Sequence, residues 1–337
     1  MTPRLAFSIA GLLVLSGWQQ LAVAQPAAFP VWLEALRVEA IQSGISAATV
    51  NAALADVAPI ERIIELDRNQ PEFTLEFWTY LDRAVSNSRI EQGRAHLAEH
   101  RELLEDVESR YGIPPHILVA AWGIESNFGR TQGRIPVIGA LVTLAYDERR
   151  AAFFRSELLH ALRILDEGHI SLENMQGSWA GAMGQLQFMP STFIDYARDG
   201  DGDGSKDIWN NAADAVASAA NFMASSGWQR GFIWGREVRV PAAFDAGLAG
   251  LETSKSHAEW QSLGVRTIAG NDLPNVAIDG SIILPSDYTE PAFLVYENYR
   301  TIMRWNRSHL FAISVGHLAD RIAGRPALQS NRVSSSN

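Results

Sequence analysis

The feature that most constrains the fold is a short helix with apolar residues on every side. It begins at Pro114-Pro115, since proline is accepted in a first helical turn, and continues through the residues HILVAAWGI at 116–124. A helix that is apolar all round has no face for water and belongs in a protein interior. The sequence therefore predicts a core around this helix, with a single carboxylate, Glu125, at its end.

Helical patterns surround this segment on both sides. Apolar residues recur at helical spacing from 30 to 110, and again at 138–145, 155–165, 190–197, 212–225 and 308–322. Short β-like runs, separated by proline, glycine and asparagine, cover 237–240, 281–284 and 293–296. We therefore predict a mainly α protein with a small β subdomain near the C-terminal third.

These patterns divide the chain into six segments. They are a signal peptide (1–24), an N-terminal helical region (25–110), a central core with an acidic loop at 199–210 (111–230), a small β subdomain (231–297), a C-terminal helix returning to the core (298–325) and a disordered tail (326–337).

The first 24 residues have the composition of a secretory signal peptide. Arg4 precedes an apolar run at 5–15, and Ala22-Val23-Ala24 provides a cleavage site. The alternative is a membrane anchor, but the run is shorter than the roughly 20 residues of a spanning helix. Because the chain has no cysteine, it can carry neither a lipid-modified cysteine nor a disulfide. We expect a soluble, extracytoplasmic mature protein without a membrane anchor.

Charge and missing motifs exclude several function classes. The net charge of -10 argues against nucleic acid or an anionic membrane as the main partner, because both recruit basic patches. The chain has no G-x-S-x-G nucleophile elbow and no phosphate-binding loop, and we expect no zinc spacing among the eight histidines. Hydride, phosphoryl and acyl transfer lose support, and no organic cofactor is expected.

Glu125 is a candidate general acid. Ala121 and Trp122 lie one turn before it and Phe128 nearly one turn after, on the same face of the helix. Such an apolar setting favours the neutral carboxyl and should raise its pKa, as a proton donor near neutral pH requires. The alternative is that Glu125 emerges into solvent where the helix ends at 126–129.

A glycine-rich segment at 177–190 combines small residues with amides and aromatics. Small residues allow close backbone approach, so the segment suits the wall of a groove for a polar, ring-shaped ligand. Gln187 would form hydrogen bonds there while Phe188 or Trp179 stacks on the ligand. Alternatively, tight helix packing alone demands these glycines.

The acidic loop resembles a calcium-binding EF-hand loop. Asp199, Asp201 and Asp203 occupy positions one, three and five, Gly204 and Ser205 follow at six and seven, and Asn210 stands where a bidentate glutamate is expected. The closing ligand must come from elsewhere, and Asp214 is a downstream candidate. A solvated acidic turn without metal is the alternative, although clustered carboxylates repel one another without a cation.

Three segments resemble, in their order and spacing, the membrane-bound lytic murein transglycosylase B family, glycoside hydrolase family 103. They are GIESNFGR (123–130), GSWAGAMGQLQFMPSTF (177–193) and DGDGDGSKDIW (199–209). The resemblance covers about 28–325. It implies a lysozyme-like catalytic core at 111–230 and non-hydrolytic cleavage of the β-1,4 bond from N-acetylmuramic acid to N-acetylglucosamine, leaving 1,6-anhydro ends. Glu125 stands at the family's catalytic glutamate and would act as sole acid and base.

The resemblance also implies substrate-binding residues. Ser178 matches a serine that orients the N-acetyl group, and Gln187 with Phe188 matches residues lining the sugar groove. Asn306 falls on an asparagine near the acid. The pair Arg149-Arg150 matches arginines suited to stem-peptide carboxylates, with an ordinary exposed basic pair as the alternative.

The sequence departs from the family pattern at two positions, where Trp305 and Phe222 stand in place of the common tyrosine. Hydrogen bonds from a tyrosine hydroxyl are therefore lost at both positions. We expect a periplasmic, calcium-associated enzyme whose partners are peptidoglycan strands with stem peptides, cell-wall synthesis proteins being further candidates. A hydrolytic muramidase and a non-catalytic, calcium-stabilised wall-binding protein are the alternatives.

Overall fold

The computed structural model describes residues 28–69, 75–285 and 291–330. The predicted signal peptide lies outside the described residues, as do 331–337 of the predicted tail. Within the described residues, no helix is both long and apolar enough to cross a membrane.

Seven α-helices precede the first strand in the part of the chain that the structure describes. They are α1 (Phe29–Gln42), α2 (Ala47–Ala53), α3 (Glu61–Arg68), α4 (Phe77–Ala84), α5 (Asn87–Glu99), α6 (Arg101–Tyr111) and α7 (Pro115–Ser126). Ser86 begins α5 by accepting a hydrogen bond from the amide of Arg89. Gly112 ends α6 in a left-handed conformation, φ 77°.

From residue 135 onwards, helices alternate with short strands. Its elements are β1 (Ile135–Pro136), α8 (Val137–Tyr146), α9 (Ala151–Asp166), β2 (Gln176–Gly177), α10 (Pro190–Tyr196), α11 (Ala212–Ser225), β3 (Gly235–Arg239), β4 (Lys255–Ser256), α12 (His257–Ser262), β5 (Arg266–Thr267), β6 (Asp279–Ile283), β7 (Ala292–Val295), α13 (Glu297–Trp305) and α14 (His309–Ile322).

The apolar helix predicted from the sequence is α7, and its burial is confirmed. Every residue from Ile117 to Gly123 is buried. The helix packs between α5 and α14, with α6 and α11 also in contact. At Gly93 of α5 an added Cβ would lie 2.4 Å from Ile322 Cδ1 of α14, so the backbone approaches its neighbour closely. The chain thus packs its N-terminal and C-terminal helices around α7.

The strands form a separate small core. A five-stranded antiparallel sheet has the order β4-β6-β7-β3-β5, and a two-stranded pair joins β1 to β2. Trp260 of α12 is fully buried against this sheet and donates its indole N–H to the carbonyl oxygen of Gly280 at 2.8 Å. β7 ends two residues before α13 begins, and the amide of the intervening Tyr296 donates to the carbonyl oxygen of Trp234 at 3.0 Å, just before β3. The sheet thus positions the start of α13.

The predicted fold class, mainly α with a lysozyme-like core and a small β subdomain, is confirmed. The six-segment division stays a prediction. The described part of the predicted tail includes Gln329 and Ser330, whose amides both donate to the carboxylate of Glu237 in β3 at 2.8 Å.

Candidate active site

Glu125 lies in the last turn of α7, where the helix stops abruptly. Asn127 and Phe128 both have left-handed backbone conformations, φ 51° and 59°, so the chain turns back on itself. The Phe128 ring then lies beneath the helix, and a Cβ at Gly123 would be 2.7 Å from its Cζ. Ring and helix together keep Glu125 half-buried rather than fully solvated.

A cavity of about 710 Å³ opens beside Glu125. Its lining contains five of the predicted site residues: Glu125, Ser178, Gln187, Phe188 and Asn306. They come from the end of α7, the glycine-rich loop and the end of α13, which are far apart in sequence. The structure therefore gathers these five residues at one groove.

The glycine-rich loop is shaped by backbone contacts that exclude side chains. An added Cβ at Gly177 would lie 2.2 Å from the carbonyl oxygen of Ala182. The amide of Ser178 donates to that oxygen at 2.8 Å, while Ser178 Oγ accepts the amides of Ala180 and Ala182 at 3.2 and 3.0 Å. With its oxygen accepting twice, the Ser178 hydroxyl is set to donate its own hydrogen.

Gln187 is held in a strained backbone conformation, φ 50°, at the groove wall. Its Nε2 donates to the carbonyl oxygens of Gln132 at 3.0 Å and Gly184 at 2.9 Å. Both amide hydrogens are therefore used within the protein. A ligand would meet this side chain through its oxygen, as a hydrogen-bond acceptor.

An aromatic wall closes the groove on another side. Phe188 is 2% exposed, with its ring centroid 5.3 Å from that of Trp305. The Phe222 ring lies 5.0 Å from Trp305 at 71°. Phe188 therefore supports the wall from beneath, whereas Trp179 and Trp305 are partly exposed and line the groove.

The lining also contains residues that the sequence did not single out, among them Tyr80, Arg83, Arg89 and Arg304. Arg89 donates through one nitrogen to the carbonyl oxygens of Arg83 and Ala84, at 2.8 and 2.5 Å. Burial lowers the pKa of Arg89 from its ordinary value. Among the described lining residues Glu125 is the only acid, so an acidic protein presents a basic groove.

The predicted pair Arg149 and Arg150 lies outside the lining of this groove. Both guanidinium groups bind the carboxylate of Asp67, which is 4% exposed. Arg149 Nε lies 2.9 Å from Oδ2 and Arg150 Nη2 lies 2.7 Å from Oδ1. The structure thus joins α3 to the turn before α9 through this pair.

The acidic loop gathers three carboxylates. Ligand oxygens of Asp199, Asp201 and Asp214 lie within 4.8 Å of one another. Asp214 is fully buried at the start of α11, and burial, followed by the charges of Asp201 and Asp199, raises its pKa despite amide hydrogen bonds from Gly200 and Asp207. Such mutual repulsion fits a bound cation, and an all-oxygen donor set fits calcium.

The remaining loop residues are placed differently. Asp203 lies outside the carboxylate group, and its Oδ1 accepts the amide of Ser205 at 2.8 Å. Asp207 caps the following turn by accepting the amides of Trp209 and Asn210.

A second potential metal-binding cluster contains His96, Glu99 and His100. Their spacing is H-x-x-E-H, a zinc-peptidase motif in reverse order. The expectation of no zinc spacing among the histidines was therefore wrong. The signal for this cluster is in the sequence, since residues three and four apart share a helix face.

Comparison with known proteins supplies the family. The model described as "Transglycosylase SLT domain" matches residues 28–320. The chain is also 31% identical over 247 residues to membrane-bound lytic murein transglycosylase B of Escherichia coli (strain K12), covering 72% of this chain and 66% of that protein. This chain belongs to the lytic murein transglycosylase B family. The predicted family membership is confirmed, and with it the class of enzyme, the peptidoglycan lytic transglycosylases.

Solved structures of family members superpose closely. SltB3 from Pseudomonas aeruginosa in complex with NAG-anhNAM-pentapeptide has a TM-score of 0.85 and 46% identity, covering 89% of this chain and 80% of that chain. Its complex with NAG-NAM-pentapeptide has a TM-score of 0.88 and 44% identity, covering 92% and 84%. The Escherichia coli lytic transglycosylase Slt35 in complex with calcium has a TM-score of 0.75 and 26% identity, covering 86% and 92%.

Proposed function

We propose that this family member cleaves the β-1,4 bond between N-acetylmuramic acid and N-acetylglucosamine without water, with Glu125 as the sole acid and base. The observation that carries the proposal is the lining of the groove, where Glu125 is the only acidic residue among those described. Hydrolytic glycosidases commonly use two carboxylates, the second as nucleophile or as base for water. A single carboxylate instead fits attack by a hydroxyl of the substrate itself.

The steps balance with one proton on Glu125. The protonated carboxyl gives its proton to the glycosidic oxygen as the bond to the muramic C1 breaks. The C6 hydroxyl of the same sugar then attacks C1, and its proton passes to the Glu125 carboxylate. The product is a 1,6-anhydro end, and the acid is restored for the next cycle. The SltB3 complex with an anhydro-muramoyl ligand supports this product.

Neighbouring groups would position the sugar. The outward hydrogen of the Ser178 hydroxyl suits the carbonyl oxygen of the N-acetyl group, and the Gln187 oxygen suits a sugar hydroxyl or amide N–H. Trp179 and Trp305 offer flat faces to sugar rings. Asn306 adds an amide at the exposed end of α13.

The basic groove would select a charged strand. Muramic acid carries a lactyl group and stem peptides carry carboxylates, so Arg83, Arg89 and Arg304 complement peptide-bearing peptidoglycan. Arg149 and Arg150 remain candidates for contacts beyond this groove. We place the enzyme in the periplasm, with glycan strands as its partner and cell-wall synthesis proteins as further candidates.

We also propose a structural calcium ion in the acidic loop. Asp199, Asp201 and Asp214 would supply carboxylate oxygens, with Asp203 and Ser205 completing the loop. The calcium complex of Slt35 supports this assignment. The ion would neutralise the clustered charge, and the chemistry at Glu125 needs no part of it.

Product analysis tests the reaction. Purified peptidoglycan is digested with wild type, Glu125→Gln and the surface control Glu102→Gln, and the fragments are identified by mass spectrometry. We expect anhydro ends from wild type and the control and none from Glu125→Gln, whose melting temperature should match wild type. Reducing ends from wild type would identify a hydrolytic muramidase instead. Unchanged digestion by Glu125→Gln would remove the carboxylate from the mechanism, and no digestion by wild type would favour a wall-binding protein.

A further inference from the structure

Three potential metal ligands meet at the C-terminal end of α5, beside α7 and outside the groove lining. Nδ1 of His96 lies 3.3 Å from Oε2 of Glu99, and Nε2 of His100 lies 4.0 Å from the same oxygen. All three ligand atoms lie within 4.8 Å of one another. Two imidazoles and a carboxylate are a common ligand set for zinc.

The separations suit a tetrahedral ion. Ligand atoms about 2.0–2.2 Å from zinc at tetrahedral angles are about 3.3–3.6 Å apart. The 3.3 Å between His96 and Glu99 fits this range, and the 4.0 Å between His100 and Glu99 must shorten slightly. His96 Nδ1 is buried, and it lies 3.3 Å from Glu99 Oε2 without the alignment of a regular hydrogen bond. A metal ion bound between the two atoms would satisfy both of them.

The imidazole rings are held in place by aromatic neighbours. The His96 ring centroid lies 5.0 Å from Trp122 and 4.7 Å from Phe128, and His100 lies 5.5 Å from Trp122. The two imidazoles are stacked, 5.7 Å apart and 10° from parallel. The aromatic contacts restrict the motion of both rings, and His100 must turn for its nitrogen to share an ion with His96.

Solvent can reach the cluster through Glu99. Its side chain is 64% exposed, whereas those of His96 and His100 are 20% and 24% exposed. Three protein ligands with an open side leave a fourth position for water. The exposed Arg130 places positive charge near His96, which Glu99 offsets.

We infer that His96, Glu99 and His100 bind a divalent transition-metal ion, with Zn²⁺ the best fit. The site is chemically distinct from the acidic loop, because imidazole nitrogen selects transition metals whereas carboxylate oxygens select calcium. The bound ion fixes the C-terminal end of α5, where His96 packs against Trp122 and Phe128, three residues to either side of Glu125.

Cobalt titration tests the site. The full chain, without an affinity tag and saturated with calcium, is titrated with Co²⁺, and the visible d–d absorption of the bound ion is followed. We expect one equivalent bound by wild type, and affinity at least about tenfold weaker in His96→Gln, Glu99→Gln and His100→Gln. Zn²⁺ should displace the cobalt and raise the melting temperature of wild type but not of Glu99→Gln.

His169→Gln is the matched control. His169 lies 3.5 Å from Glu167, a histidine–carboxylate pair whose side chains are similarly exposed but which belongs to no three-ligand cluster among the described residues. The His169→Gln variant should bind cobalt with the same affinity as wild type. Since Glu99 is exposed, Glu99→Gln tests the ligand set even where a histidine variant unfolds. No stoichiometric uptake by wild type, or uptake that Glu99→Gln leaves unchanged, overturns the site.

Discussion

The hydroxyl of Ser126 donates a hydrogen bond to the carbonyl oxygen of Gln185. Ser126 follows Glu125 in α7, and Gln185 lies in the glycine-rich loop that carries Ser178 and Gln187. Ser126 is fully buried, and its oxygen also accepts the amide of Gly129 at 2.8 Å. One side chain therefore fixes both the turn that ends α7 and the approach of the opposite groove wall to Glu125.

Ser126→Ala should lower both stability and turnover. It leaves the Gln185 carbonyl and the Gly129 amide without this partner in a buried setting, at a cost of about 1–3 kcal/mol in the free energy of unfolding. Ser314 is the matched control, because it is equally buried in a helix but its Oγ forms no hydrogen bond in the described structure. Urea unfolding should show little change for Ser314→Ala. An equal loss of unfolding free energy in the two variants would show that the hydrogen bonds of Ser126 do not contribute measurably to stability.

Acid should destabilise the protein through His317. Burial, with a smaller effect of Arg321, lowers the pKa of His317 to about 4, whereas an unfolded chain has about 6.5. The unfolded state binds more protons between these values, so the contribution to stability is complete above pH 6.5 and is lost as pH falls towards 4. The loss is about 3 kcal/mol at most. In denaturant unfolding across this range, His317→Gln should depend less steeply on pH than wild type. Parallel curves would contradict the assignment.

The variant Arg149→Gln tests whether Arg149 stabilises the fold or binds the substrate. Its guanidinium contacts both oxygens of the buried Asp67, at 2.9 and 3.1 Å. Removing it leaves Arg150 as the remaining guanidinium on this carboxylate, and we expect the unfolding free energy to fall by about 1–3 kcal/mol. A structural role leaves KM for peptidoglycan unchanged at a temperature where the variant is folded. A raised KM with unchanged stability would instead support contact with the stem peptide.

Local patterns predicted much of the fold, because they report on burial and capping. The apolar run at 116–124 indicated the core helix, and α11 has the predicted bounds, 212–225, with Asn211 accepting two amide hydrogen bonds at its start. The basic residues of the groove could not be predicted this way. Arg83 lies on α4, which packs against α14, and Arg89 lies on α5, which packs against α7. These contacts between distant segments bring both side chains to the groove of Glu125. The sequence indicated Asp214 as a candidate calcium ligand, yet its burial beside Asp199 depends on how α11 packs.

Chelation of calcium should loosen the structure of the groove wall as well as that of the acidic loop. Just after the carboxylates, the Ile208 carbonyl accepts the amide of Gln185 at 2.9 Å, and the Trp209 carbonyl accepts the side chain of Gln132 at 2.9 Å. The backbone carbonyl of Gln132 in turn accepts a hydrogen bond from the side chain of Gln187. A more mobile acidic loop would therefore also make the groove wall at Gln187 more mobile.

We therefore expect a chelator to lower the melting temperature and the rate of peptidoglycan digestion together, with both restored by excess calcium. Asp201→Asn should start at a lower melting temperature and respond less, because Asp201 is exposed and its loss removes a ligand without disturbing the core. Glu102→Gln, far from the loop in sequence, should respond as wild type does. A wild-type melting temperature that is the same with chelator and with calcium would show that the three carboxylates hold no ion. A lowered melting temperature with unchanged digestion would confine the effect to the loop and break the proposed link through Gln132.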